Sequence, residues 1–391
     1  MSQEDISQRF LLLPELKVLT RWSPVKYRSH YKTVKESTFE VCPKCASICR
    51  SVHDRRWVKI SDQPIRGSGV YLHILKRRFR CGKCKSVFTE PVQGVRKGFR
   101  TTERFRKGIK WACENYADLK RVSRAFNCSS WLVYKVFYEQ LEKKAREREY
   151  PWPKTIGIDE HSFRRKYGRR EFASMIVDYN NNRIYEVSQG KSTAELKAQL
   201  GHIEGRENVS NVILDLCDPF KNFACEHFPN AKIVADKFHV LRLLNPAINV
   251  RRKEITGDQR SNPVRKLLLR NGHRLQYFEK NALWLWLEQN PIMKEVYMFK
   301  EALHKFYRIK GFNKAAYVLT KLTDQMALSN LKEIKTLRKT LMKWRHEILN
   351  YFKTRLTNGK TEGYNRLAKL YQYRAFGYKS FKNYRLRLLN A

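Results

Sequence analysis

The stretch PKTIGIDEHSF, Pro153 to Phe163, decides how the rest of the chain is read. It reads as a short buried strand that ends by presenting Asp159 and Glu160. A carboxylate in that position is poised to hold a hard metal ion, which prefers oxygen ligands. Two other stretches have the same look. Asn211 to Asp215 (NVILD) is an apolar run ending in an acid, and Asn358 to Leu370 (NGKTEGYNRLAKL) opens a helix with Glu362. Together they predict an acidic site assembled from distant parts of one domain.

Working outward, the chain is strand-rich from Lys154: TIGID, EFASMIVDY and RIYEVSQG, then a helix from Ser192 to Ile203 with Thr193 near its cap. NVILD and KIVAD follow as strands, separated by the helix FKNFACEHF. Three strands in a meander, a helix, a strand, a helix and another strand is the order of an RNase H-like fold. In that fold the first and fourth strands lie side by side, so acids at their ends meet. From Asn245 to about Arg345 the pattern breaks into long apolar and basic periodicity with almost no strand signal, which reads as an all-helical insertion interrupting a mixed sheet. Trp284 and Trp286 within it read as core, with stacking on an extruded base as the alternative. The helix begun near Thr361 puts Tyr364, Leu367, Ala368 and Tyr371 on one face and Glu362, Arg366 and Lys369 on the other, so Glu362 faces the same cleft as basic residues.

Upstream, Pro151 and Pro153 mark a boundary after the mixed-charge run Glu142 to Glu149. Leu119, Val122 and Phe126 keep helical spacing, Asn127 and Cys128 make a turn, and Ser129 or Ser130 caps a second helix carrying Val133, Val136, Phe137 and Leu141. This is a helix-turn-helix pattern; any αα-hairpin looks similar, and the basic flank favours DNA reading, with Lys120, Arg121 and Lys135 facing phosphate. That flank comprises Lys76, Arg77, Arg78 and Arg80, then Arg96, Lys97, Arg100, Arg104, Arg106, Lys107 and Lys110. Cys42-x-x-Cys45 and Cys81-x-x-Cys84 form two knuckles whose thiolates chelate one structural Zn²⁺, a zinc-ribbon signature. Trp57 to Ile60 and Val70 to Phe79 read as strands between them, with Gly67 and Gly69 as the turn. Cys49, His53 and His73 are near enough to substitute as ligands, but four thiolates already close a site, which makes Cys49 spare. Before the ribbon, the patch Phe10 to Leu13, Leu16, Val18 and Leu19 and the basic, aromatic SPVKYRSHYKTV show no period. The expected organisation is an α+β multidomain chain: an arm (1–40), a zinc ribbon (41–90), a helix-turn-helix region (91–150) and an RNase H-like domain (151–391) with its insertion at about 245–345.

Composition bounds the partner. Of 391 residues, 42% are hydrophobic, enough for a full core, and 80 Lys and Arg face 37 Asp and Glu for a net charge of +43. So one-sided a charge repels itself and calls for a polyanion; nucleic acid is expected, a membrane surface being the minor alternative. No apolar run reaches the roughly 18 residues of a spanning helix, and the N-terminus lacks a signal-peptide pattern. Nine cysteines, an odd number, fit a reducing compartment and metal binding, so a cytoplasmic, nucleoid-associated protein is expected.

Three blocks carry a family resemblance: CPKC…CGKC; GIDEHSF with DLCDPF and PNAKIVADKFHVL; and NGKTEGYNRLAKLYQYRAFGYKSFKNYRLRLL. Along nearly its whole length the chain resembles the DDE transposases of bacterial insertion sequences, specifically the ISL-three family. The resemblance implies that Asp159, Asp215 and Glu362 are the catalytic carboxylates, holding two Mg²⁺ (or Mn²⁺), with Asp159 bridging the ions. Asp236-x-x-His239 looks like a D-x-x-H signature of such families and implies a supporting pair. The implied reaction is cleavage at terminal inverted repeats and strand transfer into target DNA, by a homodimer or larger synaptic assembly on double-stranded DNA. Contacts to that DNA are expected from Lys76, Arg77, Arg78, Arg100, Arg104, Lys107, Lys120, Arg121, Lys135, Arg366 and Lys369. The chain departs from the pattern in Cys49 and in Asp218, close after Asp215. Asp215 is preferred as the second acid because it ends an apolar run anchored in the sheet, whereas Asp218 stands beside Pro219 in a turn. Two rival readings share much of this pattern: a regulator with a dead C-terminal domain, and an RNase H-type nuclease that does not transfer strands.

Overall fold

A five-stranded sheet organises the first of two units into which the chain divides, residues 1–146 and 147–391. The computed structural model describes residues 13–116, 118–147, 151–257 and 263–391. The strands of the first unit are β1 (Leu16–Val25), β2 (Arg28–Lys35), β3 (Glu40–Val41), β4 (Ile48–Cys49), β5 (Val52–Ile65), β6 (Ser68–Arg80) and β7 (Val87–Thr89). They run in the order β1-β2-β6-β5, with β7 on β6, while β3 and β4 pair separately. Alternate residues of β5 and β6 turn inward, so Ile60, Val70, Leu72 and Ile74 share a core with Leu13, Leu16, Val92 and Val95. Arg66 and Gly67 both take left-handed backbone (φ 48° and 77°), the geometry a two-residue hairpin between twisted strands requires. The expected strands at 57–60 and 70–79 are parts of this longer ribbon. Residues 16–35, unassigned from sequence, form the hairpin β1–β2, whose second strand lies parallel to β6. β1 is exposed along most of its length, so it carries no inward alternation to read. Phe10 to Leu12 lie outside the described residues.

Among the described residues three helices complete the unit: α1 (Glu103–Asn115), α2 (Leu119–Ala125) and α3 (Ser130–Arg146). Each begins at a side-chain cap. Thr102 accepts from Phe105 N–H, Asp118 from Arg121 N–H and Ser129 from Leu132 N–H, each satisfying a donor that the first turn leaves free. Asn127, in the left-handed region at φ 48°, makes the turn between α2 and α3. Phe105 meets Phe126 edge-on at 5.6 Å, and Ile109, Val122, Val133, Val136 and Phe137 are buried. The end of the charged run at Arg148 and Glu149 lies outside the described residues.

The second unit carries β8 (Thr155–Lys166), β9 (Arg169–Asp178), β10 (Arg183–Gln189), α4 (Thr193–Leu200), β11 (Asn211–Leu214), α5 (Asp218–His227) and β12 (Lys232–Ala235). The sheet order is β10-β9-β8-β11-β12; the first three form an antiparallel meander, β11 runs parallel to β8, and β12 parallel to β11. The first and fourth strands are therefore neighbours. One expectation is corrected: β8 does not end at Asp159 but continues to Lys166, paired with β9. What stops at Ile158 is its pairing with β11. Past that point β8 has a partner on one side only, so it tolerates the charged Arg164, Arg165 and Lys166.

Helices α6 (Lys237–Leu241), α7 (Asn245–Thr256), α8 (Pro263–Leu269), α9 (Tyr277–Glu288), α10 (Pro291–Phe306), α11 (Phe312–Ala327), α12 (Lys332–Lys343) and α13 (Arg345–Thr354) follow, then α14 (Gly359–Arg374) and α15 (Phe381–Leu389). The helices from α7 to α13 share one core with the sheet: Ile156, Ile158, Val212 and Val234 are continuous with Leu287, Val296, Phe306, Leu319, Leu341 and Ile348. Trp286 packs against that core, whereas Trp284 is 44% exposed with the Lys294 ammonium 4.7 Å from its ring. On the opposite face Phe163, Ala173, Met175, Val177 and Val187 pack with Ala368, Tyr384 and Leu388. The sheet is thus covered on both sides. Among the described residues no helix is long and apolar enough to cross a membrane.

Candidate active site and metal centre

The register of the parallel strands brings three acids to one level. Leu214 of β11 pairs with Ile158 of β8 and with Ala235 of β12, so the residues that follow, Asp159, Asp215 and Asp236, stand abreast on three neighbouring strands. His239, one turn beyond Asp236, points Nδ1 at Asp215 Oδ1 (2.9 Å) and Asp236 Oδ2 (3.2 Å). Hydrogen bonds donated to these two carboxylates, Asp215 first, raise the imidazole to about 10, so it is protonated at neutral pH. Burial, followed by the Asp215 carboxylate beside it, pushes the Asp159 carboxyl up to about 8. Like charges drawn together out of water resist ionising together.

Two asparagines that the sequence reading did not single out hold these acids. Asn358 donates its side-chain N–H to Asp215 Oδ1 at 3.1 Å and to Ile158 O at 3.3 Å, and its backbone N–H to Asp236 Oδ1 at 2.9 Å. Asn365 donates to Asp159 Oδ2 at 2.6 Å, while its amide oxygen meets His161 Nδ1 at 3.0 Å. His161 Nε2 lies 2.6 Å from the Tyr384 hydroxyl. Burial lowers His161 to about 4, so the ring is neutral; with Asn365 accepting at Nδ1–H, Nε2 accepts from Tyr384. Asp236 uses Oδ2 to cap α6 through the N–H groups of Phe238 and His239. Two periodicities could have revealed these partners. Gly157, Asp159, His161 and Phe163 share one face of β8, and Asn358 at the cap of α14 keeps helical spacing with Thr361 and Asn365.

The other expected acids are placed differently. Glu362 stands on the first turn of α14, three residues before Asn365, but its side chain is 44% exposed and bonds Arg366 Nη2 at 3.0 Å. It is absent from the metal-capable cluster of Asp215, Asp236 and His239. Asp218 opens α5 and pairs with Lys343, and Glu160 lies 3.5 Å from Lys191.

In the first unit Cys42, Cys45, Cys81 and Cys84 converge, with sulfur separations of 3.6 Å (Cys42–Cys84) and 3.5 Å (Cys45–Cys81). Tetrahedral Zn²⁺ with bonds of about 2.3 Å needs sulfurs about 3.8 Å apart, so the thiols fit a structural zinc. The knuckles are built alike. Cys42 and Cys81 each donate N–H to a serine carbonyl five residues on, Ser47 and Ser86, and Ala46 and Lys85 turn the chain with φ of 56° and 59°. The Ser86 hydroxyl, more than any other neighbour, lowers Cys42 to about 6, the thiolate a metal requires. Burial and then Cys81 push Cys49 up to about 11, so it remains a thiol packed beside Phe79. His73 bonds His30 at 2.9 Å.

The residues expected on DNA divide by environment. Arg100, Lys107, Lys120, Arg121 and Lys135 are exposed, and Lys135 lies over the Trp131 ring at 4.8 Å. Arg366 and Lys369 are exposed on α14. Arg78 pairs with Asp54 at 2.7 Å, and burial lowers Lys76. Arg77 is committed inward: it bonds the fully buried Glu90 carboxylate at 2.7 Å and the Ser37 carbonyl. Arg104 likewise bonds the buried Asp62.

Residues 156–388 match a transposase family of the ISL3 group, and residues 38–84 match the zinc-finger of transposases IS204/IS1001/IS1096/IS1165. The chain is 24% identical over 361 residues to the transposase for insertion sequence element IS1001 of Bordetella parapertussis, covering 89% of this chain and 87% of the relative. It is also 23% identical over 244 residues to the transposase for IS1557 of Mycobacterium tuberculosis, 54% of each chain. With a family match spanning the sheet, its acids and the helices that cover them, the chain belongs to the ISL3 family of insertion-sequence transposases.

Proposed function

We propose that residues 151–391 form an RNase H-like catalytic domain that cuts and joins the ends of an insertion sequence, with Asp159, Asp215 and Glu362 as its metal-holding carboxylates. The observation that carries this reading is the level register of Asp159 and Asp215 on paired strands, where burial crowds two carboxylates that a divalent cation would relieve. Magnesium, when bound, would align a water or 3′-hydroxyl and neutralise charge developing on the phosphate. Asn358 donates to one oxygen of Asp215 and Asn365 to one of Asp159, fixing the orientation of both groups without adding a countercharge. Glu362 joins them by leaving Arg366, since it stands on α14 between its cap Asn358 and Asn365. Asp236 and His239 support the site by locking α6 and balancing charge beside Asp215. In the first unit, the zinc-bound ribbon and a helix-turn-helix of α2 and α3 recognise the terminal repeats, with Lys120, Arg121 and Lys135 on phosphates. The protein works in the cytoplasm as a homodimer or larger synapse.

The test is a Mg²⁺-dependent assay on DNA carrying the element's ends, scoring joined products as well as nicks; joined products separate a transposase from a nuclease. Asp159→Ala, Asp215→Ala and Glu362→Ala are expected to abolish both while DNA binding survives. Asp218→Ala, whose carboxylate is committed to Lys343, retains activity, and Asp236→Ala is impaired. Strand transfer by a folded Asp215→Ala protein would overturn the assignment.

A further inference from the structure

A cavity of about 410 Å³ opens between α6, the start of α7 and the C-terminal end of α10. No carboxylate lines it, although six of its twelve lining residues are Lys, Arg or His. Arg270 is neutralised by Glu279, both oxygens at 2.9 Å. Among the described residues the side chains of Arg242 and Arg274 have no hydrogen-bond or ion-pair partner, and Arg308 reaches only Asn271 Oδ1, at 3.5 Å. Phe238, 39% exposed, contributes an aromatic ring, and the buried Tyr307 hydroxyl has no hydrogen-bond partner. Uncompensated cations converging on a concave site favour a phosphate, and an exposed ring among them favours a base stacked on it. The volume is in the range of a small-ligand site, far too small for a duplex.

The cavity adjoins the acids through one helix. Asp236 caps α6, His239 on α6 bonds Asp215, and Lys237, Phe238 and Leu241 on the same helix line the cavity. A helix is about 10 Å across, which sets the separation of the two sites. We infer that the cavity seats one unpaired nucleotide flanking the scissile phosphate, its phosphate between Arg242, Arg274 and Arg308 and its base on Phe238. This inference rests on the transposase reading for the identity of the strand.

The test uses the full chain and end DNA carrying 5-iododeoxyuridine at one position at a time around the cut, crosslinked by ultraviolet light and mapped by mass spectrometry. One position is expected to crosslink to Phe238 or Tyr307, with a yield that falls about tenfold or more in the Arg242→Ala/Arg274→Ala double variant, which retains both aromatic residues. Wild-type protein that cuts end DNA without any crosslink in the cavity would sink the inference and leave the transposase reading standing. Crosslinking in the cavity by protein that cannot cut would do the reverse. An unchanged yield in the double variant, or equal labelling by free 5-iodo-dUMP at the same concentration, would overturn the assignment to a strand nucleotide.

Discussion

Gly157 is where α14 comes nearest to β8, and Gly157→Ala is the substitution that tests whether this approach sets up the acids. A Cβ there would lie 2.2 Å from Thr361 Oγ1, 2.6 Å from Tyr179 Cε2 and 3.0 Å from Asn358 Oδ1, against ordinary contact at 3.4 Å or more. These neighbours are not free to swing aside. Thr361 is fully buried, and the Tyr179 hydroxyl donates to Thr357 O at 2.9 Å and meets Thr361 Oγ1 at 3.2 Å. Relief therefore requires α14 to retreat by about 1 Å, carrying Asn358, Glu362 and Asn365 with it. Overpacking of this kind costs about 1–3 kcal/mol, and the reduced freedom of the unfolded chain offsets about 0.4–1 kcal/mol. A net loss of about 1–2 kcal/mol lowers the melting temperature of a unit this size by about 2–8 °C. The effect on rate should be larger, because a misplacement of about 1 Å at a reacting centre costs about 100-fold. Single-turnover cleavage of end DNA, scanning fluorimetry and DNA binding by anisotropy together check this: cleavage falls about 100-fold, the melting temperature drops modestly, and affinity is retained. A Gly157→Ala protein with wild-type cleavage rate and melting temperature would refute the reasoning.

Asn365→Ala removes a donor from Asp159 and leaves the buried His161 Nδ1–H without its acceptor. Urea denaturation should show a loss of about 1–3 kcal/mol, and cleavage should fall about 10- to 100-fold. Cys81→Ser should abolish the zinc, about one per chain by elemental analysis, whereas Cys49→Ala should leave it bound, since Cys49 lies outside the four-thiol cluster. Arg77→Ala strands the fully buried Glu90 carboxylate and should destabilise the first unit by about 3–5 kcal/mol in a denaturation experiment. Lys120→Ala, on the exposed surface, should instead leave stability unchanged and reduce the slope of log affinity against log salt by about 0.9.

Much of the sheet was legible because β11 and β12 are buried on both faces, so NVIL and KIVA are continuous apolar runs that end where an acid follows. The paired cysteines were legible for a different reason: chelation fixes their spacing regardless of what surrounds them. The far half of β8 and the hairpin β1–β2 were hidden. In β1 most residues are exposed, and in β8 the buried His161 and Phe163 are only two, set between acids and the charged Arg164 to Lys166, so pairing with a neighbour does more than a long apolar run to hold these stretches extended. The asparagines were hidden because a short amide has no signature of its own. Asn358 and Asn365 acquire a role only when α14 docks on β8, and that docking depends on a glycine whose missing side chain makes the room.

The partners of the three abreast acids separate their roles. Asp236 is already satisfied: two N–H groups of α6, the Asn358 backbone and His239 occupy its oxygens, so bringing it onto a cation would uncap a helix. Asp159 and Asp215 are held otherwise. Each receives the amide of a neutral asparagine on α14, which orients a carboxylate without cancelling its charge, and Asp215 alone shares His239 with Asp236. A site built to be inert would pair buried acids with arginine or lysine, as Glu90 and Asp62 are paired in the first unit. Here Asp215, just after β11, is balanced by His239, and Asp159, midway along β8, is crowded toward its neutral form, so a cation entering beside them would favour the ionised form of Asp159, while Glu362 stays at the surface with Arg366.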